Sequence, residues 1–331
     1  MILRLQHSIG QRARLFSGWT MASPLELYMF DLQGFSILRG LLSPAEVAAC
    51  NATIDRRKTE FVERTDNIKN AKESAFASNE GVSGSGGRLE HGWFLEWPQE
   101  DSHTFRKLLA HPHLVPRLTA FIGEGFRLDH LPLLLIQRSN VEGFDLHGGA
   151  VSESGRWNQE LSYDFKGGQS RCSMLAVSVA LTDVEDGQGG FVVAPGSHKA
   201  NLPPPKGVLK NECPELLTQP SLQAGDAVLF SEATMHGALP WRGSGERRFA
   251  LYRYGPAHVG YGRGYLEGWS DDMVAELTAA ERAVLLPPYG TRLDRATIKV
   301  TGGGELDARV HAPRSSDKKE FDQKIFKKPY F

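Results

Sequence analysis

The chain has 331 residues, of which 40% are hydrophobic and 23% are charged, and its formal net charge is −1. This composition is ordinary for a globular protein with a sizeable core. The near-neutral balance provides no overall field to recruit nucleic acid or a membrane surface. No apolar run approaches the roughly 20 residues that cross a bilayer. The composition therefore predicts neither a nucleic-acid-binding protein nor a membrane protein.

The cysteines and the first residues bear on the compartment. The three cysteines are widely spaced and form no CxxC pair, which argues against a disulfide framework or a cysteine-rich zinc site and favours a reducing compartment. Residues 1–23 contain three arginines and no acidic residue, a composition typical of an organellar transit peptide, with mitochondrion ahead of plastid. A disordered leader is the alternative. We expect an intracellular protein, cytoplasmic or mitochondrial.

The next segment predicts helices that flank a first strand. Ser43 precedes Pro44 and Glu46, the pattern of a capping box with proline at the first helical position, so a helix is expected to begin there. Residues 59–90 are polar and contain the glycine- and serine-rich run SNEGVSGSGG at residues 78–87. Such a run predicts a loop that could close over a site.

From residue 131 to 256 the pattern is that of short strands separated by turn residues. The buried run LPLLLI, the strand SRCSMLAVSVALTDV and the strand AVLF after an Ala-Gly-Asp turn are examples. The predicted fold class is mainly β with flanking helices, a double-stranded β-helix or jelly roll. We expect this domain to span residues 24–300 and residues 301–331 to form a polar, lysine-rich tail.

Two histidines of similar context stand out among the 11 in the chain. His147 and His236 each end or follow a predicted strand, and each is followed by glycine, which lets the backbone approach a ligand closely. An imidazole binds a metal through one nitrogen when the other is held by a neighbouring group. Spacing alone leaves open whether the pair binds a metal or is hydrogen-bonded within the core.

Five segments in a fixed order carry a resemblance to a known family. They are FDLQGFSILRGLLSPAEV, LHGG, VALTDVEDGQGGFVVAPGSHK, LQAGDAVLFSEATMHGALPW and RRFALYRY. This order resembles the phytanoyl-CoA dioxygenase family of Fe(II)- and 2-oxoglutarate-dependent oxygenases, over roughly residues 28–256. The resemblance implies a double-stranded β-helix in which His147 and His236 bind Fe(II). It also implies that the enzyme uses 2-oxoglutarate and O₂ to oxidise a small organic substrate.

The resemblance further implies an arginine after the second histidine that binds the far carboxylate of 2-oxoglutarate. Arg247 and Arg248 are the candidates, and only one can face inward because successive strand side chains alternate. Spacing favours Arg247, and a guanidinium suits a carboxylate because it donates two parallel hydrogen bonds. Gln137 and Asn140, on the strand before the metal motif, are further cosubstrate candidates, with strand-end capping as the alternative.

The family's usual His-x-Asp or His-x-Glu motif is incomplete, because Gly149 stands at the carboxylate position. In one interpretation a carboxylate from elsewhere completes the site, with Glu232 favoured over Asp145 and Glu153. In a second, the vacancy admits a halide, as in iron-dependent halogenases of this superfamily. In a third, the protein is a non-catalytic small-molecule-binding protein on the same fold.

Aromatic residues supply candidates for the substrate pocket. Trp93, Trp97 and Tyr163 are predicted to contact substrate, with packing over the sheet as the alternative. His198 is predicted to order its loop and not to bind metal.

Overall fold

The computed structural model describes residues 22–64, 88–139, 141, 143–152, 154–159, 161–205, 208, 213–290 and 294–328. Residues 1–23 of the predicted leader lie almost wholly outside this part, and so does the whole predicted loop at residues 78–87. Asn140 and Glu153 also lie outside it.

Fourteen strands are found in the described residues. They are β1 Phe35–Leu38, β2 Val62–Arg64, β3 Arg88–His91, β4 Arg127–Gln137, β5 Phe144–His147, β6 Tyr163–Lys166, β7 Gln169–Cys172, β8 Leu175–Ala180, β9 Gly190–Val193, β10 Ala227–Ser231, β11 His236–Leu239, β12 Arg247–Gly255, β13 Ala296–Val300 and β14 Leu306–Val310. The α-helices are α1 Pro24–Gln33, α2 Pro44–Arg56, α3 Gln99–Lys107, α4 Val115–Ile122, α5 Asp271–Glu276, α6 Ala279–Val284 and α7 Ser316–Phe326.

The strands form two sheets that face each other, plus two hairpins. The main sheet has seven strands in the order β1–β10–β8–β12–β4–β3–β2, and the small sheet has the order β5–β11–β9. Every pairing within them is antiparallel. The β6–β7 and β13–β14 pairs are separate hairpins. The predicted mainly β jelly roll with flanking helices is confirmed, as an open pair of sheets.

The two faces of the main sheet bury different partners because side chains alternate along each strand. On one face, Val177, Leu229 and Tyr252 pack with helix residues such as Phe105 and Leu108 in the larger core. On the other face, side chains such as Ala176 and Phe230 pack with Phe191 and Val193 of the small sheet. We call the face toward the small sheet the inner face and the face toward the helices the outer face.

Local sequence signals explain where α2 begins. The Ser43 hydroxyl accepts the Glu46 backbone N–H, and the Glu46 carboxylate accepts the Ser43 N–H at 2.8 Å, so the predicted capping box is present with Pro44 at the first helical position. β13 ends at Val300, and the chain then forms β14, which pairs with β13, and α7. No described helix is long and apolar enough to cross a membrane.

Candidate metal centre

The small sheet brings the two predicted histidines together. His236 begins β11 and is the direct cross-strand partner of His147, the last residue of β5. The centroids of their rings are 4.1 Å apart. The residues are 89 positions apart in sequence, so the antiparallel register alone accounts for their contact. His236 is buried and His147 is half-buried, which leaves one side of the pair open to solvent.

Backbone carbonyls fix the orientation of both rings. His147 Nδ1 lies 2.9 Å from the Asp145 carbonyl oxygen, and His236 Nδ1 lies 2.8 Å from the Thr234 carbonyl oxygen. A carbonyl oxygen only accepts hydrogen bonds, so both Nδ1 atoms carry the proton. In the neutral rings Nε2 then has the lone pair, which is the arrangement in which histidine binds a metal.

Glu232 completes a group of three potential ligands. Its Oε2 lies 3.5 Å from His236 Nε2, and ligand atoms of His147, Glu232 and His236 all lie within 4.8 Å of one another. Two imidazoles and one carboxylate on one side of a site are the ligand set typical of open non-haem Fe(II) centres. Of the potential ligands in the described residues, these three alone form such a cluster.

Arg253 holds the second oxygen of that carboxylate. Its Nε donates to Glu232 Oε1 at 2.7 Å. Burial alone would raise the pKa of Glu232, but the charge of Arg253, the neighbouring His236 and the Arg253 hydrogen bond lower it to about 2. The carboxylate is therefore ionised at neutral pH and keeps one oxygen directed to the histidines.

The backbone explains why no carboxylate follows His147 in the usual position. Gly148 and Gly149 have φ values of +88° and +96°, a region that strains any residue with a Cβ atom. The register between β5 and β11 also shifts, so that the four residues of β5 from Phe144 to His147 oppose the three residues of β11 from His236 to Ala238. This bulge brings the Phe144 ring to 5.0 Å from the His147 ring, and Asp145 is outside the ligand cluster.

Arg247 and Arg248 lie on opposite faces, as alternation requires. Arg248 is on the outer face and is hydrogen-bonded to Glu246 and Asp55 at 2.7 and 2.6 Å. Arg247 is on the inner face and only 4% exposed, and its Nη1 donates to Gln137 Oε1 at 3.2 Å. The structure thus places Gln137 beside Arg247, whereas Arg248 lies on the opposite face of the sheet.

No carboxylate among the described residues balances the charge of Arg247. Its Nε is buried without a hydrogen-bond partner. Burial, and the nearby charge of Arg88, lower the pKa of the guanidinium. Gly190 lies against it, and a Cβ there would be 2.6 Å from Arg247 Nε. Because a buried charge without a partner is costly, this cation fits an anionic ligand.

The Arg247 guanidinium and the His236 ring both lie beside the start of β9 in the small sheet. Gly190 begins β9, and the ring of the next residue, Phe191, has its centroid 6.3 Å from that of His236. The Phe230 ring is closer, at 4.5 Å from the same imidazole. These aromatic rings limit water around the buried histidine.

The predicted aromatic residues lie away from this cluster. Trp97 is buried on the helix side, where its ring stacks on His91 at 4.9 Å and its Nε1 donates to Glu60. Trp93 packs edge-on against Trp269. The Tyr163 hydroxyl donates to Asp31 at 2.8 Å, and its ring contacts His198, which is bonded to the Asp31 carbonyl. None of the three substrate candidates belongs to the metal cluster.

Sequence reasoning missed Arg253 and Arg88 as parts of the inner face. Arg253 lies six residues after Arg247, an even spacing that places both side chains on one face of a strand. This even spacing is the sequence signal from which the position of Arg253 could have been predicted. For Arg88, no pattern in the chain indicates which strand it joins.

Comparison with known proteins identifies the family of the chain. Residues 30–249 match the family model described as phytanoyl-CoA dioxygenase, so the chain belongs to that family. It is accordingly an enzyme of the Fe(II)- and 2-oxoglutarate-dependent type, and the predicted cofactor and cosubstrate are confirmed at the level of the family. No curated protein matches the sequence significantly.

Solved structures share the fold at low sequence identity. HygX from Streptomyces hygroscopicus, solved with nickel, 2-oxoglutarate and hygromycin B, is 20% identical with a TM-score of 0.56, and the match covers 76% of this chain and 94% of HygX. EctD from S. alaskensis, solved with 2-oxoglutarate and 5-hydroxyectoine, is 19% identical with a TM-score of 0.51, over 81% of this chain and 88% of EctD. These likenesses concern the fold.

Proposed function

We propose that the protein is an oxygenase that hydroxylates a small organic substrate at an iron held by His147, His236 and Glu232. The observation that carries this proposal is the convergence of these three side chains, with ligand atoms within 4.8 Å of one another. Bound Fe(II), with 2-oxoglutarate and O₂, supplies the oxidative chemistry, and the protein positions the reactants.

Each residue of the site has a distinct part in this proposal. His147 and His236 offer Nε2 because their Nδ1 protons are held by carbonyls. Glu232 offers the anionic oxygen that Gly149 cannot, and Arg253 orients it. The presence of this carboxylate favours an oxygenase over the alternative in which a halide occupies a vacant position.

The inner face of the main sheet also provides a positive charge for the cosubstrate. Arg247, supported by Gln137, is proposed to bind the far carboxylate of 2-oxoglutarate through its planar fork. The guanidinium is buried, so water screens its charge little and the pairing with a carboxylate is strengthened. No carboxylate among the described residues competes for this charge. Arg248 already pairs with Asp55 and Glu246 and is not needed for this role.

The solved structures support a small-molecule substrate. HygX was solved with hygromycin B and EctD with 5-hydroxyectoine, both small organic molecules. The half-buried His147 leaves an approach from solvent for a molecule of this kind.

Anaerobic titration with Fe(II) and then 2-oxoglutarate tests the proposal. We expect the weak visible charge-transfer band of the iron chelate, and succinate once O₂ is admitted. His236→Gln, which removes one imidazole, should show neither. Absence of both band and succinate in the folded wild-type protein would overturn the proposed function and favour a non-catalytic binding protein.

A further inference from the structure

A row of arginines crosses the inner face of the main sheet beside the proposed metal centre. Arg64 is the cross-strand partner of Arg88, and Gln137 is the partner of Arg247. The pairing of Leu89 with Ile136 sets Arg88 opposite Gln137. Because directly opposed residues share a face of a sheet, the side chains of this row point to the same interior.

Two members of the row share a single carboxylate. Arg88 Nε donates to Glu90 Oε1 at 2.8 Å, and Arg64 Nη2 donates to Glu90 Oε2 at 2.5 Å. The three side chains are 11–21% exposed, so water screens them only in part. No other ion pair of Arg64 or Arg88 occurs among the described residues. One positive charge of the pair is therefore left over.

Arg88 extends from this row toward the histidines. Its guanidinium carbon lies 5.2 Å from the centroid of the Phe144 ring, which is 5.0 Å from that of His147. Burial lowers the pKa of Arg88, Glu90 raises it, and the charges of Arg64 and Arg253 lower it again. Arg88 therefore lies near His147 and near Arg253, the residue that donates to Glu232.

The positive charge persists when the proposed iron and 2-oxoglutarate are taken into account. Two negative charges, from Glu232 and the keto-acid carboxylate, balance Fe(II), and the far carboxylate balances Arg247. Glu90 balances one of its two arginines. Because Glu232 is shared between Arg253 and the proposed iron, the described residues then leave an excess of two positive charges, one near Arg253 and one at the Glu90 pair. A neutral substrate would leave this excess in a partly desolvated interior, which is unfavourable.

An apolar strip adjoins the excess charge on the same face. The register pairs Leu135 with Phe249 and Leu133 with Leu251, and β12 carries this strip from Arg247 toward Arg253. Phe249 and Leu251 are partly exposed. The inner face thus offers apolar surface next to guanidinium groups.

We propose that the substrate is a small organic anion whose carboxylate or phosphate is bound by Arg88 and Arg64 while its apolar part lies on this strip. The inference rests on the proposed function, since it assigns the substrate class of the same site. Glu90 aligns the two guanidiniums, so that a planar or tetrahedral oxyanion meets several N–H donors at once.

Isothermal titration of the anaerobic protein loaded with Fe(II) and 2-oxoglutarate tests this assignment. The probes are hexanoate, hexyl phosphate, hexan-1-ol and hexylammonium, which share one apolar chain and differ in head group. We expect one or both anions to bind at least about tenfold more tightly than the alcohol, since hydrogen bonds to charged groups are the stronger class. Which anion binds more tightly distinguishes carboxylate from phosphate. Equal binding of alcohol and anions, or a preference for the ammonium, would overturn the proposal.

Matched variants locate the binding group. Arg88→Gln should lose the preference for anions, whereas Arg138→Gln should retain it, because Arg138 is an exposed arginine paired with Glu63. Retention of the preference in Arg88→Gln would contradict the proposal.

A parallel titration with 2-oxoglutarate separates this inference from the proposed function. Arg88→Gln should bind 2-oxoglutarate within about threefold of wild type, a difference below 1 kcal/mol. A large loss would assign Arg88 to the cosubstrate and overturn its role toward substrate. Failure of the wild-type protein to bind 2-oxoglutarate would instead count against the proposed function.

Discussion

Arg247 and Arg248 are neighbours in the chain, yet their side chains meet opposite surroundings on the two faces of β12. On the outer face, Arg248 is balanced by Asp55 and Glu246, and Tyr252 and Tyr254 bond to carbonyls of the helical layer. On the inner face, Arg247 is buried without a carboxylate among the described residues. A cation that the protein itself balances serves stability, whereas a buried cation that it leaves unbalanced indicates a ligand.

Arg253 shows a third arrangement on the inner face. It is balanced by Glu232, but that carboxylate also faces two imidazoles. The ion pair thus stabilises the proposed ligand geometry as well as the fold. In our proposal a ligand from outside the chain completes the charge of Arg247 on the inner face, whereas residues of the chain complete the charge of Arg248 on the outer face. Four substitutions can break or sharpen this comparison.

The largest effect is expected for Glu232→Ala. Loss of an anionic ligand should weaken Fe(II) binding by more than about a hundredfold, since even supporting carboxylates contribute 10- to 100-fold. Asp145→Asn is the matched control, because Asp145 lies in the same region but outside the cluster. Anaerobic competition with a chelator measures both affinities. Unchanged affinity in Glu232→Ala would remove Glu232 from the metal centre.

The second-largest effect is expected for Arg247→Gln. Losing one partner of a buried charge pair costs about 2–5 kcal/mol, so 2-oxoglutarate should bind at least about thirtyfold more weakly while Fe(II) binding is retained. Calorimetry of the Fe(II)-loaded protein provides the measurement. Wild-type affinity for 2-oxoglutarate in this variant would refute the assignment of Arg247.

Arg248→Gln should lower the stability of the fold and leave 2-oxoglutarate binding almost unchanged. It breaks the pairs with Asp55 and Glu246 on a largely buried side chain, so the free energy of unfolding should fall by about 1–2 kcal/mol. Affinity for 2-oxoglutarate should stay within about threefold of wild type. Urea unfolding and calorimetry, made on the same preparation, test both statements. A large loss of 2-oxoglutarate affinity would make Arg248, and not its neighbour, the cosubstrate arginine.

The smallest effect is expected for Tyr252→Phe on the outer face. The hydroxyl donates to the buried Phe105 carbonyl at 2.8 Å, and its removal should cost about 1 kcal/mol of unfolding free energy. Binding of Fe(II) and 2-oxoglutarate should not change. Altered ligand affinity would mean that the two faces are coupled more strongly than this description allows.

The sequence predicted the elements whose signals are local. The capping box at Ser43 and Glu46 depends on residues three apart, and it is present. Strand alternation separated Arg247 from Arg248 for the same reason. The pairing of His147 with His236 was predicted from the ordered segments that resemble a family. Glu232 was predicted separately, from its position four residues before His236 at the end of the same strand.

Features that depend on the register between strands could not be predicted from the sequence. The bulge in β5 brings Phe144 beside His147, where an unbroken strand would have placed Asp145. Arg88 joins the inner face only because β3 adds to the edge of β4. The sequence did not indicate that the Trp97 indole N–H is hydrogen-bonded to Glu60 in the helical layer. Long-range pairing decides such positions, and no local pattern encodes it.

A crystal structure of the protein loaded anaerobically with Fe(II) and 2-oxoglutarate, with anomalous data at the iron edge, tests the central claim most directly. We predict one iron bonded to Nε2 of His147, Nε2 of His236 and a carboxylate oxygen of Glu232, with the far end of 2-oxoglutarate on Arg247. Iron bound elsewhere, or bound to the histidines while Glu232 stays only with Arg253, would contradict it.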